Sequence, residues 1–217
     1  MIKEFEKRLI TSLILIPTSI FFIIKGSFFF IFFLSILFLA TSYEWVIMSK
    51  RNNRLKFLGI IFLFFSFYAV FEFRDNENYK DFLFIILICV LTDLGGYIFG
   101  KIFNGPKLTK ISPKKTYSGV IGSFLVSLTA GLIFINYLGK DSMILYLDGL
   151  HELIIVLFIS FISQIGDLIV SYFKRKAKLK DTGKIIPGHG GLLDRIDGLI
   201  FVFPIVFFLM IIINSII

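Results

Sequence analysis

The chain has 217 residues, of which 57% are hydrophobic and 29 are phenylalanine, and it carries a formal net charge of +8. This apolar composition excludes a soluble domain of this size and indicates a membrane protein. The positive charge does not predict nucleic-acid binding, because Lys and Arg gather in the cytoplasmic loops of membrane proteins. The single cysteine, Cys89, excludes an internal disulfide.

Apolar stretches of membrane-spanning length follow one another along the chain. They predict an all-α integral membrane protein, a polytopic bundle of about seven transmembrane helices. The predicted spans are 9–24, 27–48, 57–73, 82–103, 117–138, 152–173 and 199–217. The third stretch is short, which leaves a re-entrant segment open as the alternative. No small-residue cleavage site follows the first stretch, which we therefore interpret as an anchor rather than a signal peptide.

The basic residues are distributed unevenly between the two ends of the predicted bundle. Of the 23 Lys and Arg residues, 19 lie before the first span or in and beside the second, fourth and sixth connections. The other connections contain only Lys25, Arg74, Lys80 and Lys140. This asymmetry predicts a cytoplasmic N-terminus and a C-terminus outside.

Two aspartates interrupt predicted spans: Asp93 in "CVLTDLGGYIFG" and Asp167 in "ISQIGDLIVSYF". A carboxylate within a membrane helix is costly and indicates function; the alternative is a structural hydrogen bond or a protonated carboxyl. Asp93 lies 8 residues before Lys101 and Asp167 lies 7 before Lys174. Both are thus about 10–12 Å below the basic ends of their helices, and we predict that they face one cavity. Nearby glycines permit close helix approach or leave room for a ligand: Gly95, Gly96, Gly100 and Gly166.

The connection after the fourth span reads "KLTKISPKKTYSG" from Lys107 to Gly119. Its ammonium and hydroxyl groups suit phosphate oxygens, although a cytoplasmic location alone also explains its lysines. The candidate phosphate-binding residues here are Lys110, Lys114 and Lys115, together with the hydroxyls of Ser112 and Thr116.

The connection after the sixth span contains "KDTGKIIPGHGGLLDRID", from Lys180 to Asp197. Consecutive glycines permit positive φ and let backbone N–H groups point at an anion. If Asp194 and Asp197 begin a helix, their spacing puts both carboxylates on one face, where their oxygens suit Mg²⁺. His189 is either a phosphate ligand or a structural hydrogen-bonding group.

Phosphate-binding cations and metal-binding carboxylates at a membrane face fit phosphoryl or nucleotidyl transfer to a lipid, which needs positioning and charge neutralisation. The residues alone do not name the nucleotide or the lipid. An ion-coupled transporter with Asp93 and Asp167 as ion sites, and an inactive paralogue, stay open as alternatives.

The stretch "SYFKRKAKLKDTGKIIPGHGGLLDRID" resembles the signature of the phosphatidate cytidylyltransferase family, also called CDP-diglyceride synthases. The family pattern is S-x-apolar-K-R, four residues, K-D-x-small, then P-x-H-G-G and D-R-x-D, and every fixed position is present. "ISQIGD", "ISPKKTYSG" and "TDLGGYIFG" are also similar, so the resemblance covers about 90–205. The first 80 residues match only in general character, including the pair Glu44-Trp45. The chain is shorter than typical members and is expected to lack one or two helices of the N-terminal half.

The resemblance implies the reaction of CTP with phosphatidate to give CDP-diacylglycerol and pyrophosphate, in phospholipid biosynthesis at the cell membrane. It implies one polytopic domain over 1–217, with N-terminal spans in 1–80 and a catalytic half in 81–217. The expected partners are CTP, phosphatidate and the lipid bilayer, with no nucleic acid; a homodimer is left open. A CTP-dependent kinase acting on a polyprenol-type lipid alcohol is the alternative enzyme.

The resemblance also implies roles for the polar residues, with Mg²⁺ as cofactor and a second cation left open. The expected metal ligands are Asp167, Asp194 and Asp197, with Asp93 as a secondary fourth. The expected catalytic residues are Asp167, Asp194, Asp197, Lys180, His189 and Arg195. The expected substrate-binding residues are Ser112, Lys114, Lys115, Thr116, Ser171, Lys174, Arg175, Asp181, Gly190 and Gly191.

Overall fold

The structure is a computed structural model that describes residues 2–138 and 150–216. These residues form helices only, apart from two isolated β-bridges. The helices are α1 (Ile2–Lys25), α2 (Ser27–Met48), α3 (Asn53–Asn76), α4 (Tyr79–Phe103), α5 (Tyr117–Leu138), α6 (Leu150–Lys176), α7 (Leu193–Ile196) and α8 (Leu199–Ile216). The predicted all-α class is confirmed.

The helices α1 to α6 are each long and apolar enough to cross a membrane. Each of the first six predicted spans falls on one of them. The seventh falls on α8, whose described apolar stretch is Leu199–Ile212. Within the part of the chain that the structure describes, six apolar helices are long enough to cross a membrane, and the chain is a multi-pass membrane protein.

Local polar groups set the breaks between the helices. Gly26 separates α1 from α2 with a φ of 65°, a conformation that glycine adopts without strain. The Arg74 guanidinium of α3 donates to the carbonyl of Ile23 over 2.8 Å and so caps the end of α1. The Asn52 and Asn78 side chains accept backbone N–H groups at the starts of α3 and α4.

Aromatic side chains fill the core. Phe73, Phe82 and Phe203 are buried, and the ring centroids of Phe82 and Phe203 lie 4.6 Å apart. Large apolar side chains also cover the outer surface, as Phe28 and Phe57 do. Such a surface is unsuited to water and suits contact with lipid chains.

The basic segments of the chain meet at one end of the bundle. Arg8, near the start of α1, donates to the carbonyl of Gly188 over 2.8 Å. Near the end of α2, Glu44 accepts the N–H of Leu192 over 2.9 Å. Arg175, at the end of α6, donates to Ile111 of the α4–α5 connection. The predicted charge asymmetry thus corresponds to one end of the structure; Lys140, counted at the other end, lies outside the described residues.

Candidate active site

A polar cavity of about 260 Å³ lies between α4, α5 and α6 at the basic end of the bundle. Both intramembrane aspartates line it, which confirms the prediction that Asp93 and Asp167 face one cavity. The loop before α5 lines the cavity with four of the candidate phosphate-binding residues, Ser112, Lys114, Lys115 and Thr116, whereas Lys110 is not on the cavity wall. The remaining lining residues with polar groups in their side chains are Thr92, Tyr97, Ser123 and Gln164.

Glycines let α4 and α5 approach closely beneath this cavity. A Cβ on Gly95 would lie 2.6 Å from the carbonyl oxygen of Gly122, and one on Gly119 would lie 2.8 Å from that of Gly96. Side chains at these positions would therefore force the helices apart. The Ser123 hydroxyl adds a hydrogen bond of 2.8 Å to the carbonyl of Thr92, which fixes the backbone next to Asp93.

Lys115 pairs directly with Asp167 across the cavity. The Lys115 ammonium lies 2.7 Å from Asp167 Oδ2 and also donates to the Gln164 carbonyl over 3.3 Å. Ser171, one turn further along α6, donates to Asp167 Oδ1 over 3.2 Å. The loop lysine and the helix carboxylate are thus preorganised, and a bound phosphate would compete with Asp167 for the lysine.

Asp197 lies beside Asp167 because two glycines bring its segment against α6. A Cβ on Gly166 would lie 2.8 Å from the carbonyl oxygen of Asp197, and one on Gly198 would overlap the Ser163 hydroxyl. The carboxyls of Asp197 and Asp167 are close enough for their charges to interact. Burial raises the pKa of Asp197, and the charges of Asp167 and Asp93 raise it further. A cation placed here would relieve this repulsion.

Asp194 belongs to a second polar cluster, which holds together residues 180–197, called the motif loop below. Its Oδ1 accepts from Lys174 over 2.7 Å, and its Oδ2 accepts the Thr182 N–H over 2.8 Å and the Gly191 N–H over 3.2 Å. Asp194 lies in α7, and Asp197 follows it directly with helical φ and ψ, so the two residues keep the helical i,i+3 spacing. Their partners differ, because Asp194 pairs with Lys174 whereas the Asp197 carboxyl lies near Asp167 and Asp93.

Glu44 of α2 joins this second cluster from the N-terminal part of the chain. Its carboxylate is buried and accepts the Thr182 hydroxyl and the N–H groups of Leu192 and Leu193, at 2.8 to 2.9 Å. A helix outside the resembling region therefore contacts the motif loop directly.

Several predicted residues of the motif loop and of the end of α6 do not line the cavity. His189 Nε2 contacts the Ser12 hydroxyl of α1 at 3.2 Å, which favours the structural interpretation of this histidine. The Arg195 guanidinium donates to the carbonyl of His189, and Arg175 donates to the carbonyl of Leu179. The structure does not bring these three side chains to the cavity wall, and the same holds for the exposed side chains of Lys180 and Asp181. Gly190 adopts a φ of 90°, as the glycine pair predicted.

Within the described ranges, no three His, Cys, Asp or Glu side chains form a complete metal site. The chemistry of the Asp167–Asp197 pair nevertheless fits Mg²⁺, which proteins commonly bind through one or two carboxylates together with substrate phosphates. The crowded, buried charge at Asp197 supports this fit. The metal and its ligands stay a prediction.

Glu44, Thr182 and Gln164 are polar residues at the site that the sequence argument did not select. Glu44 carried the same signal as Asp93, an acidic residue within an apolar helix. Gln164 lines the cavity, and its amide Nε2 has no hydrogen-bond partner among the described residues. Thr182 had no separate signal, because its role depends on the approach of α2.

The fold and the site together define a class: a polytopic α-helical membrane protein with a cavity lined by cations and carboxylates at its basic end. The model of the Cytidylyltransferase family matches residues 55–213. The chain belongs to this family.

Individual relatives of the chain also carry the name of a cytidylyltransferase. The chain is 37% identical over 176 residues to the phosphatidate cytidylyltransferase of Staphylococcus saprophyticus, covering 77% of this chain and 65% of the relative. It is 40% identical over 156 residues to the phosphatidate cytidylyltransferase of Staphylococcus aureus, covering 71% of this chain and 56% of the relative. The chain thus spans less than two thirds of the length of these relatives.

Proposed function

We propose that the protein is a phosphatidate cytidylyltransferase, a nucleotidyltransferase that makes CDP-diacylglycerol and pyrophosphate from CTP and phosphatidate. The observation that carries the proposal is the cavity in which Asp93, Asp167 and Lys115 meet in a chain of this family. Its relatives with this name share the family, and the cavity supplies the groups that nucleotidyl transfer needs.

In the proposed reaction, a phosphate oxygen of phosphatidate attacks the α-phosphorus of CTP. A new P–O–P bond forms to the lipid phosphate, the bond between the α- and β-phosphates breaks, and pyrophosphate leaves with the electron pair. No covalent intermediate with the protein is required. The chain's contribution is to hold two anionic substrates in line and to offset their repulsion.

Lys115 is placed to bind a phosphate oxygen at the cavity, since its ammonium already pairs with Asp167 there. Lys114, Ser112 and Thr116 line the same wall and add donors. Lys174, at the end of α6, is more buried than Lys115 and forms an ion pair with Asp194. It contributes positive charge near Asp167 and Asp197. A Mg²⁺ ion held by Asp167 and Asp197 would neutralise triphosphate charge when bound.

The position of the cavity suits a lipid substrate. It opens at the basic end of helices that are otherwise apolar, so a phosphate headgroup reaches Lys115 while its acyl chains stay in the bilayer. We assign this end to the cytoplasm, where CTP is available, from the excess of Lys and Arg. The N-terminus, the α4–α5 connection and the motif loop are then on the cytoplasmic side of a cell membrane, and the C-terminus lies outside.

The test is pyrophosphate release by the purified protein in detergent, with CTP, phosphatidate and Mg²⁺ and with each omitted in turn. The proposal predicts release only when all three are present. Release of CDP with a lipid alcohol, and no reaction with phosphatidate, would replace it with the lipid-kinase alternative. No reaction with either lipid by folded protein would refute an enzymatic function of this cavity.

A further inference from the structure

We infer that Glu44 of α2 is a positioning residue for the motif loop of residues 180–197, an inference that rests on the proposed function where it concerns catalysis. Glu44 lies outside residues 55–213, the part of the chain that the family model matches. Its side chain does not line the cavity. Any effect on the reaction is therefore transmitted through the loop.

The Glu44 carboxylate is almost completely buried, with 1% of the residue exposed. Its three donors all belong to the motif loop: Thr182 Oγ1 at 2.9 Å, Leu192 N at 2.9 Å and Leu193 N at 2.8 Å. Among the described residues no Lys or Arg forms an ion pair with it. The burial of a carboxylate costs free energy unless hydrogen bonds compensate for it. The motif loop supplies these hydrogen bonds to Glu44.

Two small residues of the motif provide the space that Glu44 occupies. A Cβ on Gly183 would overlap Glu44 Oε1, and a Cβ on Gly191 would lie 2.7 Å from Glu44 Oε2 and overlap the Thr182 hydroxyl. The contact with Glu44 therefore explains why the motif has a small residue after K-D-x, which is Gly183, and a second glycine in H-G-G, which is Gly191. Both leave room for a carboxylate that comes from another helix.

The contacts of Glu44 continue into the residues predicted to act in the reaction. Thr182 Oγ1 lies 2.9 Å from Glu44 and 3.1 Å from Asp194, so one hydroxyl bridges the two carboxylates. Asp194 in turn pairs with Lys174 of α6 over 2.7 Å. Hydrogen bonds and one ion pair therefore link α2 to α6 through the loop, from Glu44 through Thr182 and Asp194 to Lys174. Polar networks of this kind fix side chains in one arrangement when every member is satisfied.

The diagnostic variant is Glu44→Gln, which keeps the shape but replaces one acceptor oxygen with an NH₂ group. That group then faces a loop donor, because a carboxylate only accepts while an amide also donates. We expect kcat for pyrophosphate release to fall about 10- to 100-fold, the range typical for groups that orient direct ligands. The exchange of amide hydrogens in 182–193 should rise about tenfold or more, since hydrogen bonds to charged groups are lost.

The matched control is Thr41→Val, one turn earlier on the same helix. Thr41 is equally buried, but its hydroxyl donates only to carbonyls of its own helix, at Leu37 and Phe38. This variant should leave both the loop exchange and kcat unchanged. If Glu44→Gln does not fold, Thr182→Val removes the shared hydroxyl from the loop side and should reproduce both effects.

Unchanged loop exchange in Glu44→Gln and Thr182→Val would overturn the inference, as would equal effects of Thr41→Val. Faster exchange with unchanged kcat would overturn the link to catalysis. Absence of pyrophosphate release by the wild-type protein would instead refute the proposed function, and the exchange measurement would still decide whether Glu44 holds the loop.

Discussion

Gly166→Ala provides a direct test of how the two buried carboxylates are brought together. A Cβ at this position would lie 2.8 Å from the Asp197 carbonyl oxygen and 3.1 Å from Gly198 Cα, whereas ordinary contact begins at 3.4 Å. The Asp197 segment must therefore shift by about 0.6 Å. The added Cβ would also lie 2.8 Å from the ring of Phe201, a side chain that can adjust. The backbone atoms of Asp197 and Gly198 cannot adjust without displacing the Asp197 carboxyl.

Gly166→Ala is expected to lower both the free energy of unfolding and kcat, and the two effects are measured separately. Overpacking of this size costs about 1–3 kcal/mol of unfolding free energy. A displacement approaching 1 Å at a reacting centre costs up to about 100-fold in rate, so we expect kcat to fall by about 10- to 100-fold. The assay is pyrophosphate release per mole of folded protein, beside thermal unfolding in detergent followed by circular dichroism.

Gly131→Ala is the control for overpacking alone. Its Cβ would lie 2.8 Å from Val156 Cγ2 and 3.2 Å from Ile88 Cδ1, at a helix interface away from the cavity. It should reduce stability by a similar amount and leave kcat per folded molecule unchanged. Normal kcat in Gly166→Ala, or an equal loss in Gly131→Ala, would refute the reasoning.

Three further substitutions test individual groups of the cavity. Asp167→Asn should abolish turnover and any rise in melting temperature on adding Mg²⁺, while expression continues; normal turnover would remove Asp167 from the site. Lys115→Met should raise the KM for CTP about tenfold or more, because a charge-assisted hydrogen bond to phosphate is lost. The control is Lys110→Met, in the same loop but not on the cavity wall, which should leave this KM unchanged. Gln164→Leu should lower kcat/KM by about 5- to 30-fold if its unpartnered Nε2 donates to a substrate, and unchanged kcat/KM would assign the amide a packing role.

The elements of the fold were predictable because each apolar stretch is long enough to span a membrane. The helices α2 and α5 begin and end at the predicted residues. The cavity was also predictable in part, because Asp93 and Asp167 lie at similar distances from Lys101 and Lys174. A regular helix converts such spacing into depth.

The rest depends on contacts between distant segments, which spacing along the chain does not encode. Asp194 accepts hydrogen bonds from Lys174 and Thr182. Asp197 instead lies beside Asp167 because its backbone packs against Gly166 of α6. His189 contacts Ser12 only because the start of α1 returns to the motif loop. Glu44 lies 138 residues before Thr182, so no local pattern pairs the two.

The most direct test of the central claim is to follow the phosphorus atoms of CTP. The purified protein would receive phosphatidate, Mg²⁺ and CTP labelled at either the α- or the γ-phosphorus, and the lipids would be extracted and separated. We predict that the α-label enters the lipid as CDP-diacylglycerol and that the γ-label leaves as pyrophosphate. Label from the γ-phosphorus in a lipid, or no label in any lipid from folded protein, would contradict the account.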